Sequence, residues 1–276
     1  MPFLNHNNAE IYYEVHGEGP AIVLAHGIGG NHAIWFKQIA TFAKSYQVIT
    51  FDHRGFGNSS DPDDIGRSAF VDDLKALLDH LKIDKAALLG QSMGGGTCVS
   101  FAATYPERVS TLILADTLHA ITENDDVAAI MDEARNRTKD LNQIERVLGA
   151  KCRAEYPTAE ILYGQLNSFN AKNRHNLKGE YPRLVTTDDL GKLGFMTMFI
   201  AGQDDVLFPS TAIEKTQENV ANSFYVEVVG AGHSAFFEKP VEFNDSVLSF
   251  LQATGYRGIR KAAHSNASGY VKPVNE

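Results

Sequence analysis

An α/β fold with a mostly parallel central sheet flanked by helices is predicted by three observations. Short apolar runs without strict alternation recur along the chain, as strands buried on both faces require. Segments with helical spacing lie between them, so strand and helix alternate. One long stretch, residues 117–190, interrupts that rhythm with charge and helix formers and no convincing strand.

In chain order, "NAEIYYEVHG" (8–17) alternates with period two and reads as an antiparallel edge strand. "AIVLAHG" (21–27) and "YQVITFD" (46–52) are apolar runs of strand length. "FVDDLKALLDHLKI" (70–83) has helical spacing, and "AALLGQS" (86–92) is again a strand. "GGGTCVSFAATYPERV" (94–109) reads as a helix and "STLILAD" (110–116) as a strand. After the interruption come strand "MTMFIAG" (196–202), helix "STAIEKTQENVA" (210–221) and strand "SFYVEVVG" (223–230). Right-handed crossovers between such units build a parallel sheet with helices on both faces. The expected division is a core of 1–116 and 191–254, a helical insertion of 117–190 and a polar C-terminal tail of 255–276. An insertion so placed is suited to be a lid, because the sites of open parallel sheets lie beyond the C-terminal strand ends.

Composition narrows the function. The 276 residues are 43% hydrophobic, enough for one large core or two small ones, and 21% charged. The net charge of -9 makes the body a poor polyanion binder, which argues against nucleic acid. The tail "GYRGIRKAAH" is the one basic candidate and reads as solvated. Two cysteines, Cys98 and Cys152, make no disulfide framework, and Cys98 falls in an apolar helical pattern that suits a buried thiol. No cysteine–histidine cluster has zinc spacing, so no metal and no cofactor is expected. The N-terminus lacks the basic start and apolar run of a signal peptide, and no run is long enough to span a membrane. A glycosylation sequon, "NAS" at 266–268, therefore carries no weight. The expectation is a cytoplasmic protein without a membrane partner.

The chemistry concentrates at "LLGQSMGGG" (88–96). Gly90-Gln91-Ser92-Met93-Gly94 fits G-x-S-x-G, a weak pattern alone, but here it follows an apolar strand and precedes a helix. A strand turning sharply into a helix strains the serine, and only small residues fit two positions either side. The glycines let the chain lift one hydroxyl above the sheet at a helix N-terminus, where the dipole favours negative charge. A phosphate loop does not fit: neither G-K-[ST] nor a G-x-G-x-x-G register is present.

A serine hydroxyl needs a base, and the base an orienting acid. "GAGHSAFFEKP" puts His233 in a small-residue loop after a strand, and "FIAGQDDVLFP" puts Asp204 and Asp205 past another. Asp205 is favoured over Asp204, with Asp116 in reserve at the end of a third strand. Of the other histidines, His53 in "FDHRGFGNSS" reads as structural support beside Phe56, which could line a pocket. His119 opens the insertion and could face the site; His6, His16, His32, His80, His175 and His264 read as surface or structural. Attack on a carbonyl also needs preorganised N–H donors for the oxyanion. The Met93 N–H, just after the serine, is one, and "LAHGIGGNHAIW" (24–35) offers the Ile28 N–H as the second, with His26 structural.

Five stretches together, "HGIGG" (26–30), "DHRGFGNS" (52–59), "GQSMGG" (90–95), "GQDDVLFP" (202–209) and "GAGH" (230–233), resemble the α/β-hydrolase superfamily in its serine-nucleophile branch. The resemblance covers about residues 8–254 and implies a helical cap inserted after the sixth strand. Its pattern G-x-x-D-x-x-x-P points to Asp205, and its small-residue-H-G-x pattern to Ile28. It implies acyl transfer: His233 takes the Ser92 proton, Asp205 orients His233, and water releases the acid from an acyl-enzyme. The expected substrate is a small or medium ester or lactone. Relatives that cleave C–C bonds of diketo-type substrates often carry tryptophan after the histidine, where this chain has Ser234. Some members keep the triad and act as ligand-sensing receptors. Tyr156, Tyr163, Phe169 and Tyr181 in the insertion are candidate pocket walls, with Arg174 a candidate carboxylate contact, although aromatics at helical spacing more often pack in the core of a cap. Oligomeric state is not readable from the sequence.

Overall fold

The computed structural model describes residues 2–258. The basic part of the tail and the 266–268 sequon lie outside the described residues. Eight strands form one sheet: β1 (Phe3–His6), β2 (Ala9–His16), β3 (Ala21–Ala25), β4 (Gln47–Phe51), β5 (Ala86–Gln91), β6 (Val109–Ala115), β7 (Met196–Gly202) and β8 (Ser223–Val228). Their spatial order is β1-β2-β4-β3-β5-β6-β7-β8. The pairs β1/β2 and β2/β4 are antiparallel, and all others are parallel.

The strand read as the edge, β2, is therefore second in the sheet. The edge itself is β1, whose four residues alternate exposed and half-buried and are too few to show a period. In β3 the side chains divide between the two faces: Val23 and Ala25 join one core cluster, Ile22 and Leu24 the other. A strand buried on both sides has no polar face, which is why its run is continuous rather than alternating.

Two helices flank the sheet early in the chain, α1 (Phe36–Phe42) and α2 (Phe70–His80). The next, α3 (Met93–Thr104), packs on β5 and is buried along most of its length. Between β6 and β7 the chain makes five helices and no named strand: α4 (Asp125–Thr138), α5 (Gln143–Val147), α6 (Ala150–Glu155), α7 (Pro157–Asn167) and α8 (Thr187–Gly191). An isolated bridge, Ile121 to Val185, closes this excursion at its base. Helices α9 (Ser210–Gln217), α10 (Ala235–Glu238) and α11 (Pro240–Ala253) complete the core. After α11, Tyr256 docks on the body: it donates its hydroxyl to Ala21 O at 2.6 Å, and its carbonyl accepts from the Tyr46 hydroxyl at 3.0 Å. Cys98 and Cys152 are unpaired and buried, and burial pushes the Cys98 thiol up. Among the described residues no helix is long and apolar enough to cross a membrane, and no cluster of side chains could hold a metal.

Candidate active site

Ser92 sits where β5 turns into α3, with φ +49° and ψ -120°. Such a backbone costs an L-residue of order 1–3 kcal/mol and persists only when its surroundings impose it. The impositions are visible. The Ser92 N–H donates to Ala115 O at 3.0 Å, and the Ser92 carbonyl accepts from Gly95 N and from the Thr117 hydroxyl, both at 2.9 Å. A Cβ on Gly90 would lie 2.5 Å from Gly94 O, and one on Gly94 would run into the backbone of Ala25. Both glycines are thus demanded by close backbone approach, and Ser92 is left 8% exposed at the N-terminus of α3.

Beyond the C-terminal ends of β7 and β8 two loops meet. His233 Nδ1 stands 2.9 Å from Asp205 Oδ2, with both residues buried. The other carboxylate oxygen, Oδ1, accepts from the N–H groups of Leu207 at 2.7 Å and Phe208 at 3.1 Å. With Asp205 held from that side, the imidazole keeps Nδ1–H toward the acid and turns Nε2 away from it. Asp204 faces solvent instead. Phe208 stacks on the imidazole, ring centroids 5.7 Å apart.

Three side chains outside the expected triad hold these loops. Gln91 Nε2 donates to His233 O at 2.9 Å, linking the residue before the serine to the histidine loop. Asp116, the reserve acid, does not meet the imidazole through a hydrogen bond. It accepts from Gly202 N at 2.7 Å and Ala235 N at 3.3 Å, tying the end of β7 to α10. Full burial, and then the neighbouring Asp205 carboxylate, push its pKa well up. Glu238 accepts from Gly232 N at 3.1 Å and from Gly149 N at 3.2 Å, fastening the excursion to the histidine loop; burial raises its pKa too. For Gln91 the available signal was a polar residue ending an apolar strand.

The loop after β3 is held by a histidine pair. His26 Nδ1 donates to Gly27 O at 2.9 Å, so its neutral Nε2 accepts from His53 N at 3.1 Å. His53 Nε2 lies 3.0 Å from the Thr97 hydroxyl on α3. Burial lowers the His26 pKa to about 4 and the His53 pKa well below its ordinary value, which keeps both rings neutral. Gln143 Nε2 on α5 donates to Ile28 O at 3.1 Å. Among the described residues neither the Ile28 nor the Met93 N–H donates to another group.

Ser92, Ile28 and His233 share a cavity of about 300 Å³ between the sheet and the excursion. No hydrogen bond joins Ser92 Oγ to the imidazole among the described residues. His119 lines the same cavity, edge-on to Phe208 at 5.1 Å, and burial lowers its pKa to about 3. None of the four candidate aromatics lines this cavity. Tyr156 is 56% exposed and Phe169 71% exposed; Tyr163 packs on Phe237, and the Tyr181 hydroxyl donates to Met93 O at 2.7 Å. Phe56 is buried against Met93 and Phe70 and does not line the cavity. Arg174 does line it, joined by Arg67, Arg135 and Arg146, which no motif singled out.

A family model described as alpha/beta hydrolase fold matches residues 20–240. The chain belongs to the α/β-hydrolase family. Among curated α/β-hydrolase relatives, a protein of Rhizobium rhizogenes named as a carbamate hydrolase, RutD, is 26% identical over 88% of this chain and 98% of its own. Among solved α/β-hydrolase structures, Est816, described as an N-acyl homoserine lactone degrading enzyme, is 25% identical with a TM-score of 0.75, covering 90% of this chain and 100% of its own. A thermophilic esterase from Thermogutta terrifontis, in a malate-bound form, is 25% identical with a TM-score of 0.74, covering 89% and 94%. The match supports a hydrolase built on this fold.

Proposed function

We propose that this chain is a serine hydrolase that cleaves a carboxylic ester or lactone through an acyl-enzyme. The observation that carries the reading is the 2.9 Å approach of His233 Nδ1 to Asp205 Oδ2, with the same ring lining the cavity onto which Ser92 opens. Ser92 Oγ attacks the carbonyl carbon as His233 Nε2 takes its proton, and the Asp205 carboxylate stabilises the imidazolium. The carbonyl π pair moves onto oxygen, where the N–H groups of Ile28 and Met93 receive it. The pair returns, the C–O bond breaks, and His233 gives its proton to the departing alkoxide. Water then repeats the sequence on the acyl-Ser92 ester and frees the acid.

The helices of residues 117–190 act as a cap in this reading, because Gln143 from α5 meets the oxyanion loop and Glu238 holds Gly149. The lactone-degrading and esterase activities named for the similar structures support the substrate class. The test is a fluorophosphonate probe together with p-nitrophenyl acetate. Labelling at Ser92 and sustained turnover are expected, both abolished by Ser92→Ala. Turnover surviving in that variant within about tenfold would remove Ser92 as nucleophile, since losing such a residue costs orders of magnitude more. A single turnover with a ligand-induced rise in melting temperature would favour a receptor instead.

A further inference from the structure

The cavity beside Ser92 has a charge opposite to that of the protein. Its wall carries four arginines, Arg67, Arg135, Arg146 and Arg174, against one acid, Glu123, in a chain of net charge -9. Arg135 is already taken by Glu123 and Asp132. Arg146 and Arg174 are half-buried and have no carboxylate within ion-pair reach among the described residues. Arg146 Nη1 donates to Thr138 O at 2.7 Å. Arg174 Nη2 donates to Leu141 O at 3.3 Å, and its Nε stands 3.1 Å from His175 Nε2. Each guanidinium has five N–H donors, so both keep donors in reserve. The two are near neighbours: besides burial, the charge of Arg174 depresses the Arg146 pKa. Two adjacent half-desolvated cations repel one another and lose hydration, a cost a fold avoids unless a counter-charge arrives.

We propose that the substrate carries a carboxylate, gripped by Arg146 and Arg174 while its ester or lactone carbonyl rests at Ser92. The inference rests on the serine-hydrolase reading above and narrows it to anionic substrates. Helix α5 sets the spacing. Gln143 holds the Ile28 carbonyl, and Arg146 lies one turn further along the same helix. One turn rises about 5 Å, so a chain of a few carbons spans the gap between acid and scissile carbonyl. The planar two-oxygen face of a carboxylate matches the guanidinium fork. The remaining arginine, Arg67, stands near His119 and Tyr181 and adds to the positive field at the mouth.

Mono-4-nitrophenyl adipate and its neutral methyl ester differ only in the distal charge, and their kcat/KM values are compared on the unaltered protein. A preference of about 10- to 100-fold for the charged ester is expected from charge-assisted pairing. In the Arg146→Gln/Arg174→Gln double variant the ratio should fall toward one. Equal rates for the two esters on the unaltered protein would overturn the carboxylate inference and leave serine hydrolysis standing, even if the double variant does not fold. If neither ester turns over and the fluorophosphonate does not label Ser92, it is the serine reading that fails. Calorimetric titration with adipate then decides: binding weakened about tenfold or more in the double variant supports the carboxylate site. No binding, or tighter binding of inorganic phosphate, overturns it.

Discussion

Replacing Gly90 by alanine tests how the elbow is built. Its φ is not positive, so alanine is free of backbone strain there and the effect is purely one of space. The new Cβ would meet Gly94 O at 2.5 Å, Gly95 Cα at 2.6 Å and Gly94 C at 2.7 Å, all backbone atoms of the first turn of α3. Ordinary contact begins at 3.4 Å, so the turn must retreat by about 0.9 Å. β5 cannot yield instead, because it is hydrogen-bonded between β3 and β6. The retreat carries the Ser92 hydroxyl and the Met93 N–H with it. A displacement of about 1 Å costs roughly 10²-fold in a catalytic site, and overpacking costs about 1–3 kcal/mol of stability. The assay is kcat/KM on a p-nitrophenyl ester beside a thermal melt. Gly164→Ala in α7 is the control: nothing lies within 4 Å of its added Cβ, and a gain of about 0.5–1 kcal/mol is expected from helix propensity. If Gly90→Ala keeps kcat/KM within about threefold with an unchanged melt, the crowding does not set the nucleophile's position, and the link from displacement to lost rate is wrong.

Asp205→Asn should lower ester turnover by about 10⁴-fold, because an amide NH₂ facing His233 Nδ1 forces the tautomer that cannot accept the serine proton. Asp204→Asn, at an exposed position, should stay near the unaltered rate; a reversed ranking would move the orienting acid. His26 predicts an acid-side loss of stability. It titrates at its ordinary 6.5 in the unfolded chain and at about 4 when folded, so the unfolded state binds more protons between those values. Its contribution is complete above pH 6.5 and is lost as pH falls through that window, by about 2 kcal/mol between pH 7 and pH 5. Urea unfolding at the two pH values should show His26→Gln flattening this dependence, and an identical slope in the variant would remove His26 as its source.

How much of the molecule can be read from its sequence depends on the range of the forces involved. Double-sided burial leaves continuous apolar runs, so β3 to β7 are readable one by one, whereas β1 is too short to show a period and its pairing displaces β2 from the edge. Steric crowding at a turn acts over two residues, so the glycines around Ser92 announce it locally. The same locality makes the stretches bearing His233 and Asp205 visible as polar residues at strand ends. Which neighbours surround them is a different matter. Gln91, Asp116 and Glu238 act on backbone N–H and C=O groups more than 80 residues away in the chain, and no local pattern encodes such a partner. Aromatics in the excursion fit either a pocket wall or a cap core when read from the sequence; their exposure depends on how α7 sits, and Tyr156 and Phe169 face outward. The arginines that replace them come from four separate segments, each ordinary when read alone. Only the packing of α4, α5 and the residues after α7 against the core, beside the segment that carries Arg67, brings their charge to Ser92, because electrostatics sums over distance in space and is blind to distance along the chain.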